Sequence, residues 1–195
     1  MTEKELVEMI LRGNVEAFEP LVRPYRQPLL GLARRMVPDM EDAREAAQET
    51  LLRAFRYIRR YDPDRSFRNW LFGILVNEAR KVRAARAAAP LSFSRLLASA
   101  SGHEVAPEPA SNEPAPDERY ARNETRSQLA ECLEVLSPRE REVFLLRDIE
   151  ELSVRDAAGI LGATSVSVRV HLSRARRKMK KAILERYPHL GEEGR

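Results

Sequence analysis

Sulfur chemistry is almost missing from this sequence. Its 195 residues include one cysteine, Cys132, which excludes an internal disulfide and any metal site built on several thiolates. Cys132 itself reads as a small apolar core residue of a helix rather than a redox sensor. The three histidines, His103, His171 and His189, are too scattered to form a metal cluster. The eight glycines are scattered too, so no glycine-rich loop exists to cradle a phosphate. No nucleophile–base pair stands in a recognisable setting, which sets the expectation of a non-enzyme. Long apolar runs are also lacking. No segment approaches membrane-spanning length, and the N-terminal MTEKELVEMILRGNVEAF is charged where a secretory signal needs an apolar core. The expectation is a cytoplasmic chain with no membrane insertion and no cofactor. Strand signals and internal repeats are absent, which points to an all-α fold.

The sequence does contain unevenly distributed charge. Lys and Arg total 34 against 30 for Asp and Glu, a formal net charge of +4. Glu104, Glu108, Glu113, Asp117 and Glu118 fall in one block, while Arg and Lys crowd the flanking segments. Basic segments beside an acidic spacer favour a polyanion partner.

Residues 1–87 read as mostly helical. Leu6, Met9 and Ile10 recur at helical spacing, as do Phe18, Leu21 and Val22, then Leu29, Leu30, Leu32 and Ala33. Pro20, Pro24 and Pro28 predict a kink or break in that second stretch. A helix starts between Asp39 and Asp42 and runs through Ala46, Ala47, Thr50, Leu51, Ala54, Phe55 and Ile58. Tyr61-Asp62-Pro63-Asp64-Arg65 is a turn by composition. Ser66 can cap a further helix carrying Phe67, Trp70, Leu71, Ile74 and Leu75. Residues 88–118, rich in Ala, Ser, Pro and Glu, read as a flexible linker. Within it, Phe93, Leu96 and Leu97 could form a short docking turn. Residues 119–187 return to helical periodicity, with Ser137-Pro138 as N-cap and first-turn pair, and residues 188–195 form a tail. The architecture expected is two small helical domains joined by the linker.

Leu152 to Met179 has the layout of a helix-turn-helix. Ser153 can cap its first helix, and Ala157 and Ala158 are small enough to let a second helix cross closely. Gly162 sits where the turn needs φ > 0. Thr164 or Ser165 can cap the second helix, while Val168 and Leu172 turn its apolar face back onto the first. Arg169, His171, Arg174, Arg176, Arg177, Lys178, Lys180 and Lys181 are then outward, which suits a major groove flanked by phosphates. A merely amphipathic helix with a solvated basic face would leave the agreement of small residues, turn glycine and caps unexplained.

Three blocks occur in order: DAREAAQETLLRAF (Asp42–Phe55), YDPDRSFRNWLFGILVNEAR (Tyr61–Arg80) and LSPREREVFLLRDIEELSVRDAAGILGATSVSVRVHLSRARRKM (Leu136–Met179). With a linker between the second and third, the chain resembles an extracytoplasmic-function (group IV) sigma factor of bacterial RNA polymerase. The resemblance implies that Asp42, Glu45, Gln48 and Glu49 dock on the β′ clamp helices of core polymerase; Glu45, Gln48 and Glu49 share one side of a helix. Arg44 stands where the family more often has an acid. The second block matches the segment that holds the separated non-template strand of the promoter −10 element. Arg65, Ser66, Arg68 and Asn69 are its loop-side candidates, and Asn77, Arg80, Lys81 and Arg83 its helix-side candidates. Phe67, Trp70 and Leu71 read as core, since their spacing gives one buried face.

The third block matches the −35 domain, with Ser165, Val166, Ser167, Arg169, Val170, His171, Arg174, Arg176 and Arg177 as DNA-binding candidates. Arg169 falls where the family enters the groove with Lys or Arg, and Arg174 and Arg176 lie in its RAR signature. Val166, Val170 and His171 depart from the usual Gly, Ser and Arg. The two valines share a face and could meet thymine methyls or serve packing, and His171 can donate or accept. The resemblance further implies a contact to the polymerase β-flap and control by an anti-sigma factor. Paired acids Glu150-Glu151 read as solvated loop charges. Two rivals are a stand-alone helix-turn-helix regulator, which leaves Asp42–Arg80 without a role, and a protein-binding adaptor, which leaves the basic helix unexplained.

Overall fold

The computed structural model describes residues 1–88 and 128–188. The linker, its docking turn at Phe93, Leu96 and Leu97, and the tail lie outside the described residues except at their edges. Every regular element among the described residues is helical.

The N-terminal part opens on α1 (Glu3–Leu11), held by a capping box between Thr2 and Glu5. A 3₁₀ turn at Val15–Ala17, α2 (Phe18–Val22), a second 3₁₀ turn at Arg23–Tyr25 and α3 (Arg26–Met36) follow. The proline punctuation therefore breaks this stretch as expected. Pro24 sits in the 3₁₀ turn, and Pro28 lies in the first turn of α3, where a backbone N–H has no helical acceptor. Asp39 caps α4 (Met40–Tyr57), its carboxylate accepting from the N–H groups of Glu41 and Asp42. A 3₁₀ turn at Ile58–Arg60 leads through the 61–66 loop to α5 (Phe67–Ala88).

The long helix α4 packs against both α3 and α5. Leu29, Leu32, Phe67, Leu71, Phe72 and Leu75 are fully buried in the apolar core. Truncating Phe72 to Ala would cost about 3–5 kcal/mol by lost burial and cavity formation. Small Ala43, Ala46 and Ala54 let α4 approach closely, and buried Thr50 donates its hydroxyl to the Ala46 carbonyl at 2.7 Å.

The C-terminal part begins with helical residues 128–133, where Cys132 is buried as a core residue. Ser137 and Glu140 form a capping box on α6 (Pro138–Phe144). The helix then widens into a π turn at Leu145–Ile149. Ser153 caps α7 (Val154–Leu161), Gly162 ends it at φ 60°, and Thr164 caps α8 (Ser165–Arg186). Ala157 and Ala158 are buried where α7 meets α8. The two parts touch: α5 packs on α7, and one apolar core holds residues of both.

Candidate nucleic-acid interface

The surface of α4 carries the first candidate set. Glu45 and Gln48 are exposed, whereas Glu49 is half-buried and accepts from Arg53 Nε at 2.9 Å. Asp42 is half-buried and its carboxylate is paired with Arg86, which also bridges to Asp39 at 3.0 Å. The open part of this face is therefore Glu45 and Gln48. Leu52, one turn further on and 45% exposed, extends it. Leu52 was not singled out from the sequence, although an apolar residue four after Gln48 was the available signal.

The second set surrounds the 61–66 loop. This loop is pinned at both ends. Tyr61 donates its hydroxyl to the Arg65 carbonyl at 2.5 Å, and Ser66 Oγ accepts from the Asn69 N–H at 3.3 Å. Tyr61 also packs its ring edge-on to Phe67 at 5.2 Å and lies 5.2 Å from Trp70. Phe67 and Leu71 are fully buried and Trp70 is half-buried, in keeping with a core role. Arg65 and Ser66 remain exposed, with Arg65 bridging to Asp62 at 3.2 Å.

A groove of about 450 Å³ opens between α4 and α5. Arg53, Tyr57, Ile74, Asn77, Glu78, Arg80 and Lys81 line it. Asn77 and Lys81 are exposed there. Buried Glu78 binds Arg53 at 3.0 Å and Lys81 at 2.9 Å, fixing both cations on the groove wall. Arg53, Tyr57 and Glu78 were missed in the sequence. Their role depends on α4 and α5 lying side by side, which periodicity does not fix.

The remaining members of this set face the C-terminal part. Arg68 stacks over Phe72, 4.8 Å from the ring centre, and binds Glu150 at 2.7 Å. Arg80 binds Glu142 through two nitrogens at 2.8 and 2.7 Å. That bidentate pairing raises the Arg80 pKa against the opposing effect of burial. Arg83 is half-buried in the cleft between the two parts. The structure thus corrects the reading of Glu150 as a solvated charge, since its side chain is only 10% exposed and closes on Arg68.

The third set stands on α8. Val166 and Val170 are exposed, as are Arg169, Arg174 and Arg177, while Val168, Leu172 and Ala175 are buried against α7 and α6. Ser165 and Ser167 are half-buried, and the Ser167 N–H donates to the capping Thr164 hydroxyl at 3.1 Å. His171 buries Nδ1, which has no hydrogen-bond partner among the described residues, so any outward contact falls to Nε2. Arg176 is exposed but donates twice to Asp148 of the π turn, at 2.8 and 2.6 Å. Lys178, expected to point outward, turns inward to Glu140 at 2.6 Å.

Residues 21–88 match the Sigma-70 region 2 family, and residues 126–179 match Sigma-70, region 4. The chain is 30% identical to the RNA polymerase sigma factor CnrH of Cupriavidus metallidurans, over 91% of this chain and 92% of that protein. It is 27% identical to the ECF RNA polymerase sigma-E factor of Haemophilus influenzae, over 94% and 96% of the two chains. Its fold superposes on the structure of CnrH in complex with the cytosolic domain of CnrY with a TM-score of 0.65. That match has 26% identity and covers 94% of this chain and 98% of the other. With both sigma regions matched in order and relatives aligned along nearly their full length, the chain belongs to the sigma-70 family, among the extracytoplasmic-function RNA polymerase sigma factors.

Proposed function

We propose that residues 1–87 bind core polymerase and hold the melted −10 strand, that residues 119–187 read the −35 duplex, and that residues 88–118 join them. The observation that carries this reading is the outward face of α8. A glycine turn and a Thr164 cap present Val166, Arg169 and Val170 together, with Arg174 and Arg177 further along the helix. Arg169 reads a base edge in the major groove, the two valines meet thymine methyls, and the later arginines hold phosphates. The second DNA contact lies in the groove between α4 and α5. Tyr57 offers a ring to an unstacked base, Asn77 an edge to hydrogen-bond, and Arg53 and Lys81 charge for the backbone.

Glu45, Gln48 and Leu52 form the patch for the β′ clamp helices, and the C-terminal domain also meets the β-flap. The factor works in the cytoplasm beside the polymerase. It performs no chemistry of its own and needs no cofactor, because polymerisation belongs to the partner. CnrH was solved in complex with the cytosolic domain of CnrY; control of this chain by an anti-sigma factor is the corresponding reading. Run-off transcription with purified core polymerase tests the assignment. Promoter-dependent transcripts are expected only when the chain is added. DNA binding that is as tight without core as with it would favour the stand-alone regulator instead.

A further inference from the structure

The basic run in the second half of α8 is not uniformly free. Arg174 and Arg177 are exposed, and neither pairs with a carboxylate among the described residues. Arg176, between them, is taken. Its Nε donates to Asp148 Oδ2 at 2.8 Å and its Nη2 to Asp148 Oδ1 at 2.6 Å. Lys178 is taken as well, by Glu140. Helical spacing makes the capture of Arg176 unexpected. Arg176 stands seven residues after Arg169, so two turns of helix return it to the same stripe, about 10 Å further along the axis. On spacing alone it continues the face that carries Arg169.

The acid that captures it is placed by the backbone. Asp148 belongs to the π turn at Leu145–Ile149, where the Glu150 N–H reaches back five residues to the Leu145 carbonyl at 2.9 Å. Such a turn holds one residue more than an α turn and so re-aims the side chains on it. The Asp148 side chain is 18% exposed against 57% for Arg176. The carboxylate is therefore the sheltered partner, and the guanidinium comes to it from solvent. The pairing raises the Arg176 pKa above its ordinary value, outweighing burial. Arginine offers a phosphate the same two-nitrogen edge that it offers a carboxylate. With Nε and Nη2 both on Asp148, that edge is closed to DNA, and the neutral pair displaces no counterion from a duplex.

We propose that Asp148 withholds Arg176 from the promoter phosphates and so limits the affinity of the −35 contact. Arg176 braces α8 on the π turn, while Arg174 and Arg177 are left for DNA. The proposal rests on the reading of α8 as a duplex-binding face.

The test measures binding of the full chain to a short labelled duplex of mixed sequence by fluorescence anisotropy over a series of salt concentrations. The slope of log affinity against log salt reports the number of phosphates neutralised, at about 0.9 per contact. Asp148→Ala releases Arg176. It is expected to steepen the slope by about one unit and to tighten binding about five- to tenfold near ~0.1 M salt. Asp148→Ala combined with Arg176→Gln removes both partners at constant net charge and should match the wild type. Glu16→Gln removes one acid from an exposed site on the N-terminal part and should leave the slope unchanged. Asp148→Asn disturbs the π turn less and keeps an acceptor for Arg176, so it should move both readouts the same way as Asp148→Ala by less. A slope about one unit shallower in the double variant overturns the proposal, because Arg176 then already holds a phosphate in the wild type. Slopes unchanged in both single Asp148 variants overturn it too, as does an equal steepening in Glu16→Gln, which would make the gain one of net charge alone. Arg177→Ala tells this failure from that of the reading beneath it. If its slope also stays unchanged, α8 is not a phosphate-binding face, and if its slope falls by about one unit, only the withholding has failed.

Discussion

Glu151 holds a left-handed backbone at φ 56°, a conformation that costs a non-glycine residue about 1–2 kcal/mol. Replacing it with glycine removes that strain, at the expense of about 0.5–1 kcal/mol of extra unfolded-chain entropy. Glu151→Gly should therefore leave thermal stability equal or slightly higher, with a melting point that does not fall. A clear drop would mean that the exposed Glu151 side chain makes a contact worth more than the strain. Glu140 gives a pH prediction. Burial by itself would raise its carboxyl, but Lys178 at 2.6 Å and the Ser137 backbone and hydroxyl outweigh it and hold the pKa at about 2, below its ordinary 4.5. The native carboxylate thus resists a proton that the unfolded chain accepts. The stability it contributes is fully present above its unfolded pKa and is lost as pH falls through the native one. Urea unfolding at about pH 5 and about pH 3 should show a loss in the wild type that is smaller in Lys178→Met. Equal losses in the two proteins would count against this pairing.

The turn between α7 and α8 is the element on which the −35 reading depends. A Cβ at Gly162 would meet nothing within 4 Å, so Gly162→Ala acts through its φ of +60° rather than through a clash. The cost should be about 1–2 kcal/mol, seen as a lower melting point together with weaker duplex binding. On α8, Arg169→Ala should cost roughly 1–3 kcal/mol at one promoter position. Arg177→Ala should weaken all sequences alike and lower the salt slope by about one unit. A binding series on single-base promoter variants at several salt concentrations separates the two effects, and equal losses at every position for Arg169→Ala would remove its base-reading role. These features were legible because they are local. Ser137, Ser153 and Thr164 cap the helices they precede, and Gly162 takes the backbone that its lack of a Cβ permits. The π turn at Leu145–Ile149 was not legible, since its residues keep an ordinary helical spacing of apolar side chains. Glu150 was misread for a related reason. Its partner, Arg68, lies 82 residues away, and no helical period reports on so distant a pair. The groove residues Arg53 and Glu78 belong to two different helices and become a pair only through packing.

For the whole molecule, the placement of the proposed core-binding patch matters most. Glu45, Gln48 and Leu52 stay exposed on α4 even while α5 carries the C-terminal part on its other contacts. On the proposed assignment, core polymerase reaches this patch while the two parts are still packed together. Once both domains sit on the polymerase, each DNA contact raises the effective concentration of the other, and such tethering can add about 10²–10⁴ in avidity. Binding to promoter DNA carrying both elements should accordingly tighten by about a hundredfold or more when core polymerase is present. Promoter fragments with only one element should gain far less. Gln48→Lys places a charge in the middle of the α4 patch, so it should reduce co-elution with core polymerase and abolish the promoter gain. It should leave the melting point and the weak DNA binding of the free chain unchanged, because Gln48 touches neither the apolar core nor the DNA faces. Undiminished co-elution of Gln48→Lys with core polymerase would move the docking site off α4.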